Sequence, residues 1–186
     1  MDILSKLDIT KGKYKLFIYR LIYNKNFIVG KHILCSGSIR VRCNDCSMIK
    51  ISNNVKLNSR VILHATGEGQ IHIKNNTGLS HGVIIAAKKS ISIGKSVMIG
   101  PYTCIYDHDH VYKINGSMHN SGFNTENIII EDNVWIASNC TILKGSIIGS
   151  GSVIGAGTII KGNIPANSIV YGNKLYSVKK ISKLST

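Results

Sequence analysis

The sequence has few acidic residues, few aromatic residues and almost no proline. Lys and Arg number 23 against 9 Asp and Glu, which gives a formal net charge of +14, and only 6% of the 186 residues are aromatic. Such a surface attracts anions, including nucleic acid, phosphorylated cofactors, acidic glycans and anionic membranes. General solubility is the alternative explanation. No nucleic-acid-binding motif accompanies the charge, so nucleic acid is not a predicted partner.

Long hydrophobic runs and paired cysteine motifs are also missing. No run of about 18 apolar residues suggests a membrane-spanning helix, and no signal peptide is visible. The five cysteines are irregularly spaced, and Cys43 and Cys46 have no second cysteine pair. We therefore predict no metal site, and a reducing cytoplasm as the location.

The N-terminal stretch KYKLFIYRLIYNKNF is basic and amphipathic. It is predicted to form a short helix that either packs on the body of the protein or contacts a membrane surface, such as the inner face of the cytoplasmic membrane. Packing is favoured because the open end of a repeat structure needs a cover.

What the sequence does have is a repeat of six residues. From residue 130 onward isoleucine recurs without interruption, and smaller residues (Val134, Cys140, Ser146, Ser152 and Thr158) recur four places after each isoleucine. The isoleucines stand at positions 130, 136, 142, 148, 154 and 160. The same register occurs upstream in three blocks that begin at Ile51, Ile73 and Ile93.

A six-residue period fits neither a helix nor simple strand alternation. It predicts a triangular solenoid in which each hexapeptide is one side and three make a turn. The aliphatic residue and the fourth-offset residue point inward, and Gly and Asn serve the corners, where positive φ is easily adopted.

The period is interrupted once by a long insertion. After Ile105 the next repeat would begin at residue 111 but begins at Ile130, which is an insertion of 19 residues. The insertion opens with Asp107, His108, Asp109 and His110. An imidazole whose tautomer is fixed by a carboxylate is a good general base near neutral pH. A solvated polar loop, or a metal site from His108, His110 and His119, explains the spacing equally well.

The sequence resembles the hexapeptide-repeat acetyltransferases, which are left-handed parallel β-helices. The resemblance is carried by the repeat together with two motifs, IGPYTCIYDHDH and IIIEDNVWIASNCTILKGSIIGSGSVIGAGTIIKGNIPANSIVYGN. The similarity covers about residues 51 to 181 and is greatest to the sugar O-acetyltransferases of bacterial surface polysaccharides. It implies an all-β fold: an N-terminal helical cap over 1–30, a left-handed β-helix over 31–172 with an inserted loop at 107–129, and a C-terminal tail over 173–186 that packs on the helix end. It also implies a homotrimer with acetyl-CoA as co-substrate in the cleft between subunits.

The resemblance assigns roles to the motif residues. Counted five residues from Ile105, the family's catalytic histidine falls on His110, with His108 as runner-up and Asp107 or Asp109 as the orienting carboxylate. Trp135, predicted to point outward at a corner, lines the acetyl-transfer site or, alternatively, contacts another subunit. His81 lies near an acceptor-binding position of relatives, although an ordinary polar corner explains it equally well.

The cofactor assignments rest on the C-terminal repeats. The pantetheine arm is expected along the backbone near small residues, and two lysines are expected to contact the phosphates. These residues are Ala137, Ser138, Ala156, Gly157, Lys161 and Lys179. Two departures from the family weaken the phosphate assignment: Ala137 replaces a glycine, and the tail reads GNKLY, with Lys174 in place of proline and Tyr176 in place of a basic residue.

The predicted function is acetyl transfer from acetyl-CoA to a sugar hydroxyl in the biosynthesis of a surface polysaccharide or its precursor. One alternative is acetylation of a small free acceptor such as a simple sugar, serine or the nitrogen of an amino sugar. Less favoured alternatives are a zinc hydratase of the same fold and a noncatalytic scaffold.

Overall fold

Aliphatic side chains at six-residue intervals build three parallel sheets that share one core. The computed structural model describes residues 3–44, 46–112 and 122–172, and shows a left-handed parallel β-helix preceded by one helix. The helix α1 spans Ile3–Tyr23 and continues into a short 3-10 turn, Asn24–Asn26. The predicted fold class is confirmed.

The sheets, which we name A, B and C, contain seven, seven and six strands. Sheet A contains β1 (Phe27–Val29), β4 (Met48–Ile51), β7 (Gln70–Ile73), β10 (Ser90–Ile93), β15 (Ile128–Ile130), β18 (Ile147–Ile148) and β21 (Asn163–Ile164). Sheet B contains β2 (Leu34–Cys35), β5 (Lys56–Leu57), β8 (Gly78–Leu79), β11 (Met98–Ile99), β16 (Trp135–Ile136), β19 (Val153–Ile154) and β22 (Ile169–Val170). Sheet C contains β3 (Arg40–Arg42), β6 (Ile62–Ala65), β9 (Ile84–Ala87), β12 (Cys104–Tyr106), β17 (Thr141–Leu143) and β20 (Ile159–Ile160).

The chain turns three corners per coil, and the stacked corners form three edges of a prism. The B–C edge consists of the turns 36–39, 58–61, 80–83, 100–103, 137–140 and 155–158. The C–A edge consists of the turns 43–47, 66–69, 88–89, 144–146 and 161–162, together with the long insertion. The remaining turns form the A–B edge.

The predicted inward register is confirmed. The isoleucines from position 130 to position 160 and the smaller residues at the fourth offset are all buried. Equivalent positions stack directly, as Ile93 does with Ile130 and Ile105 does with Ile142. The insertion therefore leaves the register of the solenoid intact.

Most corners use residues that tolerate positive φ, as predicted. The residue just before each fourth-offset position has positive φ at Asn54, Arg60, Asn76, Gly82, Ser96, Tyr102, Asn133, Asn139, Gly145, Gly151 and Gly157. Arg60, Ser96 and Tyr102 depart from the predicted Gly and Asn preference. The corner geometry is thus imposed by the coil and overrides the local preference of these three residues.

Helix α1 covers the N-terminal end of the solenoid, which is the favoured alternative of the sequence analysis. Leu16 is buried, and Gly12 lies so close to the backbone of Cys35 that a Cβ atom there would overlap it. The hydroxyls of Tyr19 and Tyr23 donate to the carbonyls of Ile39 and Val41 at 3.4 Å and 3.2 Å.

The boundaries differ slightly from those predicted. The first strand of the solenoid, β1, lies within the segment 1–30. The insertion ends at residue 127 and not at 129, because Ile128 is buried and pairs with Ile91 in sheet A. The predicted tail 173–186 lies outside the described residues.

Candidate active site

Asp107 is a fully buried carboxylate at the start of the insertion. Its Oδ1 accepts a hydrogen bond from the backbone N–H of Lys88 at 2.8 Å, and its Oδ2 accepts one from Lys89 at 2.7 Å. Oδ1 also lies 2.9 Å from Nδ1 of His108. The carboxylate thereby joins the C–A turn 88–89 to the imidazole of His108.

The pairing with Asp107 fixes the tautomer of His108. An ionised carboxylate only accepts hydrogen bonds, so Nδ1 of His108 must carry the proton. In the neutral ring Nε2 then has a free lone pair, which is the state required of a general base. The side chain of His108 is 17% exposed, which limits but does not block access.

Aromatic rings surround His108. Tyr106 and Phe123 make edge contacts with its ring at centroid distances of 6.3 Å and 5.4 Å. Burial, with the thiol of Cys104 beside it, raises the pKa of Tyr106 to about 12. Tyr106 therefore stays uncharged near neutral pH and contributes no negative charge to the site.

His110 has different surroundings from His108. It lies in β13 (His108–His110), which pairs antiparallel with β14 (Phe123–Thr125), and its exposed ring contacts Phe123 at 4.4 Å. Within the described residues, His110 makes no hydrogen bond to Asp107 or Asp109. The structure thus places a carboxylate beside the runner-up histidine and not beside the first choice.

Asp109 is engaged in holding the insertion on the solenoid. Its Oδ1 lies 3.2 Å from Nζ of Lys144, which is also 3.6 Å from Oε1 of Glu126. Lys144 is on the next turn of the C–A edge and its side chain is only 13% exposed. The two aspartates therefore have separate partners.

The predicted cofactor residues come together on the B–C edge. Ala137 and Ser138 occupy one turn of this edge, and Ala156 and Gly157 occupy the next. The backbone N–H of Gly157 donates to the carbonyl of Ser138 at 2.9 Å. A Cβ atom built at Gly157 would meet nothing within 4 Å, so the surface there is open and lined by small residues.

Trp135 lies beside this group of small residues, and His81 lies on the same B–C edge two turns before Ala137 and Ser138. Trp135 points outward with half of its surface exposed, as predicted, but it belongs to strand β16 of sheet B and not to a turn. His81 is in the B–C turn 80–83, where Nδ1 lies 2.7 Å from Oγ of Ser59 and the ring packs edge-on against Tyr102. These contacts give His81 a structural role at the corner.

The two predicted lysines are separated from the small residues. Lys161 is exposed in a C–A turn, on the far side of sheet C from Ala156 and Gly157. Lys179 lies outside the described residues, and so does His119. In the part of the chain that the structure describes, no group of three His, Cys, Asp or Glu side chains is placed to hold a metal ion.

The candidate residues therefore fall on two different edges of one prism. Asp107 and His108 are on the C–A edge, and the small residues with His81 are on the B–C edge. A strand of sheet C such as β9 separates the edges by about 13 Å, at ~3.3 Å per residue. Within one copy the two groups cannot converge on one reacting bond.

Sequence reasoning missed three residues of this site. Lys88 and Lys144 lie outside the insertion and contact it, and Phe123 is a residue of the insertion whose ring contacts Lys88, His108 and His110. A signal existed for Lys88, because the segment AAKKSISI interrupts the six-residue period. Phe123 and Lys144 carry no comparable signal.

A family model places the repeat among known proteins. The model described as bacterial transferase hexapeptide (six repeats) matches residues 127–162. Over these residues, which make up less than half of the chain, the protein is similar to that family. No curated protein matches this hexapeptide-repeat chain in sequence.

Solved structures of acyltransferases share the fold of this hexapeptide-repeat protein. A maltose O-acetyltransferase from Clostridium difficile 630 is 26% identical over 98% of this chain and 90% of that chain, with a TM-score of 0.57. A variant of AntD, an N-acyltransferase from Bacillus cereus in complex with dTDP and coenzyme A, is 19% identical over 90% and 89%, with a TM-score of 0.69. The hexapeptide-repeat acetyltransferase VCA0836 from Vibrio cholerae O1 biovar eltor, complexed with acetyl coenzyme A, is 22% identical over 94% and 84%, with a TM-score of 0.52. The last two similarities establish the fold.

Proposed function

We propose that this protein transfers an acetyl group from acetyl-CoA to a sugar hydroxyl, with His108 as general base. The observation that carries the proposal is the buried carboxylate of Asp107 beside Nδ1 of His108. This pair is held on a rigid corner of a fold shared with structures that bind coenzyme A or acetyl coenzyme A.

The chemistry follows from the state of the ring. Nε2 of His108 removes the proton of the sugar hydroxyl as its oxygen attacks the thioester carbonyl carbon. The negative charge of Asp107 stabilises the imidazolium that forms. Backbone N–H groups of a neighbouring coil are the proposed donors to the developing oxyanion. When the C–S bond breaks, the imidazolium returns the proton to the leaving thiolate, so His108 ends in its initial state.

His110 is retained as the second candidate for the base. Its position five residues after Ile105 supports it, and its exposed ring lies on the same side of the hairpin as His108. The orienting carboxylate supports His108 instead, because a ring without a fixed tautomer presents the free nitrogen only part of the time.

The acetyl-CoA site is proposed to lie between two copies. The small residues of the B–C edge let a pantetheine arm approach the backbone closely, and Trp135 beside them is proposed to line the acetyl group. Because the base is on the other edge, a neighbouring copy must supply it. A homotrimer, in which the C–A edge of each copy faces the B–C edge of the next, supplies three such sites.

The proposed acceptor is a surface polysaccharide or its precursor, modified in the cytoplasm at the inner face of the membrane. The exposed face of α1 supports the membrane contact, since it carries large apolar side chains together with lysines. No helix among the described residues is long and apolar enough to cross a bilayer.

Turnover with a panel of acceptors tests the proposal. The purified protein is incubated with acetyl-CoA and neutral, acidic and amino sugars, and thiol release and product mass are measured. Treatment of the product with mild alkali separates an O-acetyl ester, which is cleaved, from an N-acetyl amide, which survives. An amide product would move the assignment to the alternative of amino-sugar acetylation.

Two variants identify the base. His108→Ala is expected to lower kcat by about 10²–10⁴, the usual contribution of general base catalysis, while acetyl-CoA binding measured by calorimetry is retained. His110→Ala is the matched control and is expected to keep most of the activity. The reverse result would assign the base to His110.

A zinc hydratase and a noncatalytic scaffold give different results in the same preparation. Stoichiometric zinc by elemental analysis would favour the hydratase. A melting temperature that acetyl-CoA does not raise would favour the scaffold, because a ligand that binds the folded state stabilises it.

A further inference from the structure

Lys88 is a cation at the candidate site that the proposed chemistry does not use. Its backbone N–H donates to Asp107, while its side chain extends over the ring of Phe123 with Nζ 3.8 Å from the centroid. The same phenyl ring contacts both His108 and His110. The ammonium group and the two imidazoles are therefore gathered around one aromatic side chain.

The ammonium of Lys88 has unused hydrogen-bonding capacity. An ammonium group has three donors, and the one polar partner of Nζ among the described residues is Oγ1 of Thr66 at 3.5 Å. No carboxylate in the described part of the chain lies within ion-pair distance of Nζ. The neighbouring acids Asp109 and Glu126 are both paired with Lys144.

Other cations increase the positive potential on this part of the surface. On sheet C, Arg42 pairs with His64, which pairs with Ala86, two residues before Lys88. Burial, followed by the charges of Arg42 and Arg40, lowers the pKa of His64. The acids on this edge include Asp107, whose carboxylate is buried against the backbone of Lys88 and Lys89, and the exposed Glu68 in the turn 66–69.

We infer that the acceptor sugar carries an anionic group, a phosphate or a carboxylate, which the ammonium of Lys88 binds while His108 faces the reacting hydroxyl. This inference rests on the proposed acyl transfer and specifies its substrate class. Nζ of Lys88 lies 3.8 Å from the centre of the Phe123 ring, and the centre of the His108 ring lies 5.4 Å from the same point. The ammonium and the imidazole can be no farther apart than the sum of these two distances. An acceptor must therefore present its anion and its hydroxyl on the same sugar or on adjacent ones.

Two other roles for Lys88 make different predictions. A lysine that stabilised the oxyanion would affect kcat equally with every acceptor, charged or neutral. A lysine that bound the phosphates of CoA would affect the affinity for CoA. An acceptor-binding lysine affects neither of these and changes only the binding of anionic acceptors.

The experiment is a titration that requires no turnover. The CoA-saturated protein is titrated with inorganic pyrophosphate, glucose 1-phosphate, glucuronate and methyl glucoside, and the Cε1–H resonance of His108 is followed by NMR. The variants are Lys88→Gln, Lys88→Arg, and Lys95→Gln as a control for an exposed corner lysine on the A–B edge. Comparison of the phosphate probes with glucuronate distinguishes a phosphorylated acceptor from a uronic acid.

At least one anionic probe is expected to shift the resonance saturably, whereas methyl glucoside does not. Lys88→Gln should weaken that binding about 10-fold, the effect typical of losing one charge-assisted hydrogen bond. Lys88→Arg and Lys95→Gln should stay within about twofold to threefold of wild type.

Three results would overturn the inference: no shift with any anionic probe, equal affinities in Lys88→Gln and Lys95→Gln, or loss of CoA affinity in Lys88→Gln. If the wild-type protein still transfers acetyl groups, these results contradict the anionic acceptor alone. Absence of thiol release with every acceptor contradicts the proposed function instead.

Discussion

Asp107 is proposed to serve catalysis and stability with one side chain. Burying a carboxylate is costly unless hydrogen bonds replace its hydration, and this one receives two backbone N–H groups and an imidazole N–H. The same bonds that satisfy the charge also fix the turn 88–89 and the orientation of His108. Removing the charge should therefore affect both properties.

Asp107→Asn is expected to lower the free energy of unfolding by about 1–3 kcal/mol, because an amide has one acceptor oxygen and leaves a buried N–H without a partner. Activity should fall as well, since the amide can stabilise the wrong tautomer of His108. The control Asp109→Asn removes an ion pair in which the aspartate is exposed, and it should change stability by less than about 1 kcal/mol. Denaturant unfolding of both variants measures this, and equal small losses would contradict the assigned role of Asp107.

The choice between the two histidines could not be made from the sequence. The motif shows two imidazoles beside two carboxylates, but their pairing depends on which side chains turn inward after β12. Asp107 turns inward because two N–H groups from the turn 88–89, distant in sequence, need an acceptor there. A one-dimensional pattern carries no information on such a contact.

At the scale of elements, the solenoid depends on close stacking of successive turns. Gly100, after β11, lies directly over the next B–C turn, and a Cβ atom there would come within 2.5 Å of the backbone of Ala137. A Cβ atom built at Gly78, in β8, would have nothing within 4 Å. Neither glycine has positive φ, so the comparison isolates steric contact between coils.

Gly100→Ala is expected to destabilise the protein by about 1–3 kcal/mol through overpacking. Gly78→Ala should be neutral or slightly stabilising, because alanine loses less backbone entropy on folding. Chemical denaturation of the two variants provides the measurement. Equal stability of the two variants would show that the coils can move apart without cost.

The register of these strands was predictable from sequence, because each inward aliphatic residue belongs to a strict six-residue period and the core selects that period.

The helix was only half predictable. An amphipathic pattern shows that α1 has an apolar face, but α1 has apolar side chains on two faces. One face, with Leu16, packs on the solenoid, and the other, with Tyr14, Phe17 and Leu21, is exposed.

The exposed face of α1 is expected to bind anionic bilayers. Phe17 and Leu21 are more than half exposed and neighbour Lys13 and Arg20, so a second copy with the same charges is a poor partner for this face. The double variant Phe17→Ser, Leu21→Ser should lose co-sedimentation with phosphatidylglycerol vesicles. Ile169→Ser, at an exposed apolar position of sheet B, is the control. Equal binding by both variants, or binding to neutral phosphatidylcholine vesicles, would argue against this contact.

At the scale of the whole molecule, the decisive feature is the division of the candidate residues between two edges. Asp107 and His108 occupy the C–A edge, whereas Trp135 and the small residues lie at the other side of sheet C. Each proposed active site therefore combines His108 of one copy with Trp135 of the next. Closed rotational symmetry allows this arrangement at every interface of a trimer.

Complementation between two inactive variants tests this claim most directly. His108→Ala and Trp135→Ala are co-expressed with different affinity tags, and trimers that contain both are isolated and assayed for thiol release. Each variant alone should be nearly inactive. A mixed trimer should regain about one third of wild-type activity, because one of its three interfaces pairs an intact His108 with an intact Trp135. Mixed trimers as inactive as the parent variants, or a fully active Trp135→Ala protein, would contradict the account.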